Sequence, residues 1–281
     1  MVIRNALVHG LKAILRCINL LPYSAQQKFG SALGYLCYWG IPKRRRVAKS
    51  NISICLSDHT HKEQKQILKA HFKSLGKNLI AMYTVWFGNA AKIEKKMLIT
   101  GEHYLTQALD QKKGVVLLSA HFTTLELPFC WLKRIGINTG AMYREQKNTS
   151  WNQVMHQGRS RHINHLFRHI DIKSLVSALK EGMVVWYAPD QHYAKKRSVT
   201  LPFFGQMTSF NSAIENIQQV TNCIVLTQFS RQLPTGEYEI AFGPPLTATL
   251  DNLITTQYVK CLESFILKAP EQYYWVHKRF K

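Results

Sequence analysis

At 281 residues with 46% hydrophobic content, the chain suits one folded domain with room for a sizeable core and space for a terminal appendage. Thirty-seven Lys and Arg against 16 Asp and Glu leave a net charge of +21, which calls for a polyanionic partner: nucleic acid, an anionic membrane surface or an acidic carrier protein. The six cysteines are widely spaced and contain no Cys-x-x-Cys, so neither a zinc site nor a redox motif is supported. They read as reduced thiols of a cytosol-facing protein.

From Met1 to Leu21, apolar residues fall at Ile3, Leu7, Leu11, Ile14, Ile18 and Leu21, with Arg4, Lys12 and Arg16 on another face. That is the period of an amphipathic helix. Lys12 and Arg16 interrupt the apolar run, so neither a cleavable signal nor a spanning helix fits. The uncharged stretch from Phe29 to Pro42 would rise roughly 20 Å as a helix, short of the ~30 Å hydrocarbon core. Residues 1–42 are therefore expected to form a helical membrane-associating segment lying in or dipping into the interface, with a shallow span or a pair of ordinary core helices as the alternatives. Lys43, Arg44, Arg45 and Arg46 follow where a basic cluster would meet anionic headgroups and mark the cytosolic side, or would simply open a solvated helix. Thr60 and Glu63 form a capping box opening a helix that carries Ile67, Leu68, Phe72, Leu75 and Leu79 toward the core.

Beyond Gly101 the pattern changes to strands separated by helix-length intervals. Strands are expected at Val115–Ser119, Ala141–Tyr143, Val184–Ala188, Ile224–Ser230 and Tyr238–Phe242, with a last helix over 251–268. The spacing predicts an α/β fold, a mostly parallel mixed sheet covered by helices on both faces, occupying residues 43–281. Ligands on such sheets collect at the strands' carboxyl ends, where His121 and Asp190 both fall.

The stretch Gly114–Pro128 carries the chemistry. A buried strand delivers His121 to its C-terminal end, and Glu126 follows within a segment that resumes helical apolar spacing. With His121 in the strand-to-helix turn, the Glu126 carboxylate could fold back onto one imidazole nitrogen and leave the other as a base for a hydroxyl. The same two residues read equally well as a polar pair closing a turn. Downstream, Arg159, Arg161, His162, His165, Arg168 and His169 lie within what would be a few helical turns. Arginine forks match phosphate oxygens, so the cluster is a candidate headgroup clamp, or a solvated basic face. The three histidines lack a nearby acid or cysteine, and no metal is expected. Asp190 closes a strand as either a loop cap or a site carboxylate.

His121-Phe-Thr-Thr-Leu-Glu126 resembles the His-x4-Asp/Glu box of the lysophospholipid acyltransferase superfamily. The flanking segments narrow this to the late (secondary) acyltransferases of lipid A biosynthesis: Asn51–Leu56, His71–Gly76, Gly158–Arg161, Ala188–Gln191, Pro202–Gly205 and Ala269–Phe280 stand in that family's order. Where family members often continue Asp-Gln-Asp-Tyr-Gly, this chain has Asp190-Gln-His192-Tyr-Ala194, one carboxylate and one glycine fewer.

The resemblance implies an O-acyltransferase on the cytoplasmic face of the bacterial inner membrane. It would move a fatty acyl group from acyl carrier protein, as co-substrate and without a cofactor, to a hydroxyl on an acyl chain of a lipid A precursor. His121 would be the general base with Glu126 orienting it, and Arg159, Arg161 and Asp190 would bind or support substrate. Lys195, Lys196 and Arg197 could meet the acidic carrier or simply face water. Another glycolipid or lysophospholipid acceptor, or acyl-CoA as donor, stays open. A nucleic-acid-binding protein would use the same charge, but no helix-turn-helix, zinc-finger or ribonucleoprotein motif is present, so nucleic acid is not expected as a partner.

Overall fold

The computed structural model describes residues 15–146, 148–192, 198–249 and 252–280. The basic run at 195–197 and most of the first predicted helix lie outside the described residues.

Among the described residues a seven-stranded sheet runs in the order β1-β9-β8-β2-β5-β3-β4. Its strands are β1 (Met97–Thr100), β2 (Val115–Leu118), β3 (Thr139–Tyr143), β4 (His165–Arg168), β5 (Val184–Tyr187), β8 (Ile224–Gln232) and β9 (Tyr238–Pro245), while β6 (Ser198–Phe203) and β7 (Gln206–Asn211) form a separate hairpin. All pairings in the large sheet are parallel except β8 with β9, as the interposed helices required.

Helices cover both faces. Val115 and Leu117 pack with Phe129 and Leu132 of the helix Pro128–Arg134, whereas Val116 and Leu118 pack with Ile214 and Ile217 of the helix Ala213–Thr221. This follows from strand period and topology together. Successive residues of β2 point to opposite faces. The chain leaves β2 for β3 in one direction along the sheet and leaves β5 for β8 in the other, so right-handed crossovers lay their helices on opposite sides. The carboxyl ends of adjacent β2 and β5 are thus the topological switch point, where open α/β sheets hold ligands.

The five expected strands are present. Four further strands were not anticipated: β1, β4, β6 and β7 are short or lie outside the sheet's buried centre, and lack the continuous apolar run of a central strand. At the turn between β6 and β7, Phe204 and Gly205 both take positive φ (50° and 73°) between the paired Phe203 and Gln206, the two-residue turn whose twist matches a hairpin. Phe203 and Phe210 are core residues in contact with each other.

The capping box forms as predicted: Thr60 N–H donates to Glu63 Oε2 at 2.7 Å and Glu63 N–H to Thr60 Oγ1 at 3.3 Å, opening the long helix His61–Phe87. The helix Tyr23–Gly40 lies along it through Gly30, Gly34 and Gly76. A Cβ on Gly34 would stand 2.0 Å from the Phe72 carbonyl oxygen, and one on Gly76 would stand 2.1 Å from that of Gly30, so only glycine permits this approach. Leu15 and Ile18 pack on Ile80 and Tyr83 of the same long helix. The opposite face of Tyr23–Gly40 stays uncovered, with Phe29, Tyr35, Leu36 and Trp39 exposed. No helix among the described residues is long and apolar enough to cross a membrane.

Candidate active site

Leu118 of β2 and Tyr187 of β5 are paired in register. Three residues beyond each stand His121 and Asp190, so the sheet's register alone brings the two together. Asp190 Oδ1 accepts from His121 Nδ1 at 2.6 Å, and Oδ2 accepts from the His121 backbone N–H at 3.1 Å and from the Tyr273 hydroxyl at 3.0 Å. Tyr273 arrives on the C-terminal segment, which bridges Phe122 and donates Tyr274 N–H to the His121 carbonyl at 2.9 Å.

Asp190 is buried, and burial pushes its carboxyl up. The His121 ring and the hydrogen bonds from His121 and Tyr273 more than offset this and hold it below the ordinary carboxylate range. Burial and the adjacent carboxylate push the Tyr273 phenol well above its usual value, so it remains a donor. With Nδ1–H committed to Asp190, Nε2 is the lone-pair nitrogen of a side chain 28% exposed.

The structure redraws the expected pairing. The carboxylate on the His121 ring is that of Asp190, and Glu126 does not carry the orienting bond. The helix begins at Pro128, so Glu126 lies in the preceding turns and takes up Arg159 instead. Arg159 Nε donates to Oε1 and Oε2 at 3.0 and 3.1 Å, Nη2 donates to Oε1, and Trp86 Nε1–H donates to Oε2 at 3.3 Å. Both members of this ion pair are largely buried, and the fork geometry holds the guanidinium in one orientation.

His121 and Arg159 line one cleft of about 800 Å3. Its wall is mixed, with Met142, Met155 and Trp186 beside Arg144 and His169, and none of the described residues lining it is acidic. Asp190 lies beneath it, its carboxylate facing His121 rather than a ligand.

The basic cluster does not hold together as a helical face. The helix Thr149–Arg159 ends at Arg159, and His165–Arg168 is the edge strand β4. Arg161 turns away from the His121 cleft: its Nη1 donates to the Trp86 carbonyl at 2.9 Å, and it borders a separate depression with Lys133, Arg134 and Glu94. His162 Nε2 donates to the Val85 carbonyl at 2.7 Å, and burial lowers its pKa. Among the described residues no group of three or more His, Cys, Asp or Glu is placed to hold a metal.

The C-terminal box carries basic and aromatic residues of the kind that line a surface edge, yet its Trp275 and Arg279 are 1% and 2% exposed. The residue missed from sequence is Tyr273. Its signal was the aromatic run at 273–275, which gave no indication of facing Asp190.

An imidazole held by a buried acid at the switch point of an α/β sheet, beside a clamped arginine, is an arrangement chemically able to take a proton from a group bound in the cleft. The chain belongs to the bacterial lipid A biosynthesis acyltransferases, whose family model matches residues 2–281. It is 28% identical over 275 residues to the lipid A biosynthesis lauroyltransferase of Escherichia coli, spanning 95% of this chain and 89% of that protein. It is 29% identical to the palmitoleoyltransferase of the same organism, over 93% and 86%, and 29% identical to a lipid A biosynthesis acyltransferase of Haemophilus influenzae, over 96% and 88%. Membership makes the chain an acyltransferase of lipid A biosynthesis.

Proposed function

We propose that the protein transfers a fatty acyl group from the thioester of acyl carrier protein to a hydroxyl on an acyl chain of a lipid A precursor. The observation that carries this reading is the His121–Asp190 pair at the cleft floor. His121 Nε2 takes the hydroxyl proton as the oxygen attacks the thioester carbonyl. Asp190 fixes the tautomer and stabilises the imidazolium, and the thiolate of the carrier leaves. No enzyme nucleophile is needed. Glu126 acts by clamping Arg159, whose guanidinium meets the developing oxyanion or a phosphate of the acceptor. A cleft with two arginines, three histidines and no acid along its described wall suits an anionic acceptor.

The reaction belongs at the cytoplasmic face of the inner membrane. Two features support this placement. The exposed face of Tyr23–Gly40 presents Leu36 and Trp39, 68% and 58% exposed, next to Lys43, Arg44 and Arg46. Lys43 and Arg44 occupy the first turn of the helix Pro42–Cys55, the end that disfavours positive charge, and an anionic surface would relieve that conflict.

The test is transfer from radiolabelled acyl carrier protein, against acyl-CoA, to a panel of phosphorylated lipid and glycolipid acceptors, with His121→Ala as control. The expected outcome is carrier-dependent acylation of the lipid A precursor, lost in H121A. Undiminished transfer by folded H121A would falsify the base assignment, and preference for acyl-CoA or a lysophospholipid would move the substrate reading to those classes.

A further inference from the structure

Arg279 is a cation that the proposed mechanism leaves unused. It is 2% exposed. Its guanidinium stacks 3.9 Å from the Phe210 ring centroid and 5.3 Å from that of Phe203, and Nη1 donates to the Ser209 carbonyl at 3.2 Å. Nε and Nη2 are buried without a hydrogen-bond partner among the described residues. A charged group left that way is costly unless an opposite charge compensates it.

Arg279 borders a cavity of about 10 Å3 that also touches His121, Asp190 and Tyr273, room for no more than one water. Asp190 supplies the one carboxylate among the described residues lining it. The other titratable groups facing this region are Tyr258, Tyr274, Tyr187, Cys55 and His277, with Glu263 acting on Cys55. The segment is pinned from outside: Asn51 Nδ2 donates to the Trp275 and His277 carbonyls, each at 2.6 Å, and Arg44 Nη1 donates to that of Val276 at 3.0 Å. The tail therefore delivers two groups behind the imidazole, Tyr273 in contact with Asp190 and Arg279 across the small cavity.

We infer that Arg279 is a positioning residue for acyl transfer, a fixed buried cation that keeps Asp190 ionised and so keeps the Nδ1–H of His121 directed at it. This rests on the reading of His121 as the base. A fixed positive charge favours the anionic form of a nearby carboxyl and opposes protonation of the pair as a whole. Its removal thus moves protonation of the pair to higher pH.

The experiment follows the Asp190 carboxylate band by difference infrared spectroscopy across pH, assigned with Asp190→Asn, alongside the pH profile of kcat/KM. In Arg279→Met the band should disappear about one pH unit higher than in wild type, and the acid limb of the profile should move with it. Arg279→Lys, which keeps the charge, should bring both back toward wild type. Should R279M not fold, Arg279→Gln drops the charge while keeping a donor for Ser209. An Asp190 titration in the folded neutral variant that coincides with wild type overturns the inference, as does an equal shift in R279K. A wild-type protein that transfers no acyl group overturns the proposed function instead, and the infrared titration still decides this point.

Discussion

Replacing Asp190 with Asn tests the base assignment through the tautomer. Asp190 offers an acceptor to three donors: His121 Nδ1–H at 2.6 Å, His121 backbone N–H at 3.1 Å and the Tyr273 hydroxyl at 3.0 Å. An asparagine has one oxygen and one amide group. If its oxygen takes the ring N–H, its NH2 is driven against the backbone N–H, a donor that cannot rotate away. The flipped amide satisfies the backbone and the tyrosine with its oxygen but points NH2 at Nδ1, which must then be the unprotonated nitrogen. The proton moves to Nε2, and the nitrogen facing the cleft ceases to be a base. The loss should approach the whole general-base contribution, ~10²- to 10⁴-fold in kcat, with KM for the acceptor little changed because the exchange is nearly isosteric. Steady-state acyl transfer with a thermal melt to confirm folding reads both quantities. A folded D190N protein retaining a tenth or more of wild-type kcat refutes the reasoning.

Other substitutions probe the surroundings. Glu126→Gln removes one member of a largely buried ion pair; it should cost about 3–5 kcal/mol in chemical denaturation and lower turnover through a displaced Arg159, which a double cycle with Arg159→Gln would show as strong coupling. Leu36→Glu with Trp39→Glu alters exposed positions only, and should cut binding to anionic vesicles by about 10²- to 10⁴-fold, given ~1.5–3 kcal/mol per buried apolar side chain, with the melting temperature unchanged in solution; equal vesicle binding defeats the membrane-face proposal. Gly34→Ala forces a Cβ to 2.0 Å from the Phe72 carbonyl oxygen and should destabilise the fold by about 1–3 kcal/mol, read as a lowered denaturation midpoint. Burial holds the His71 pKa down at about 4. The unfolded chain therefore binds this proton first, and stability present above pH ~6.5 should fall by about 3 kcal/mol as pH drops toward 4. His71→Leu should flatten that slope at the cost of orphaning the Glu271 carbonyl that Nδ1–H now meets at 3.0 Å, and an unchanged slope would count against it.

The sequence disclosed most where one element's own pattern decided the outcome. The apolar run Val115–Leu118 is buried on both sides, so it had to be a central parallel strand, and Thr60 with Glu63 capped a helix through contacts three residues apart. The failures are long-range or context-dependent. The long helix's polar stripe of His71, Ser74 and Asn78 ties down Glu271 and Thr123, contacts across up to 200 residues that no local spacing encodes. His165–Arg168 alternates too weakly to announce a strand, and its basic residues suggested a continued helix. Trp275 and Arg279 looked like surface because charge and aromatics there resemble an interfacial belt, yet a buried arginine stacked between phenylalanines has the same letters.

The same distinction explains why the spacing within the His-x4-Glu box was misread. Local reasoning asked how two residues five apart could touch. In the folded chain they need not, because each belongs to a different partner brought by a different element. The register of β2 with β5 supplies Asp190 to His121, and the end of the helix Thr149–Arg159 supplies Arg159 to Glu126. The intervening turn is held independently, by Thr123 N–H on the Gln272 carbonyl at 2.8 Å and Thr124 Oγ1 on the Ser230 carbonyl at 2.8 Å. The box thus fixes the distance between a His–Asp hydrogen bond and an Arg–Glu ion pair rather than forming one pair, and it sets an imidazole and a cation on the same cleft. That arrangement suits acyl transfer, in which a proton must leave the nucleophile while negative charge grows on the carbonyl oxygen a few ångströms away. Lengthening the turn by one residue between Thr124 and Glu126 should leave the His121–Asp190 pair intact, since neither strand is touched, while it misaligns Arg159. Turnover would then fall although Asp190 still titrates as in wild type, and an Asp190 titration displaced by the insertion would refute the independence of the two pairs.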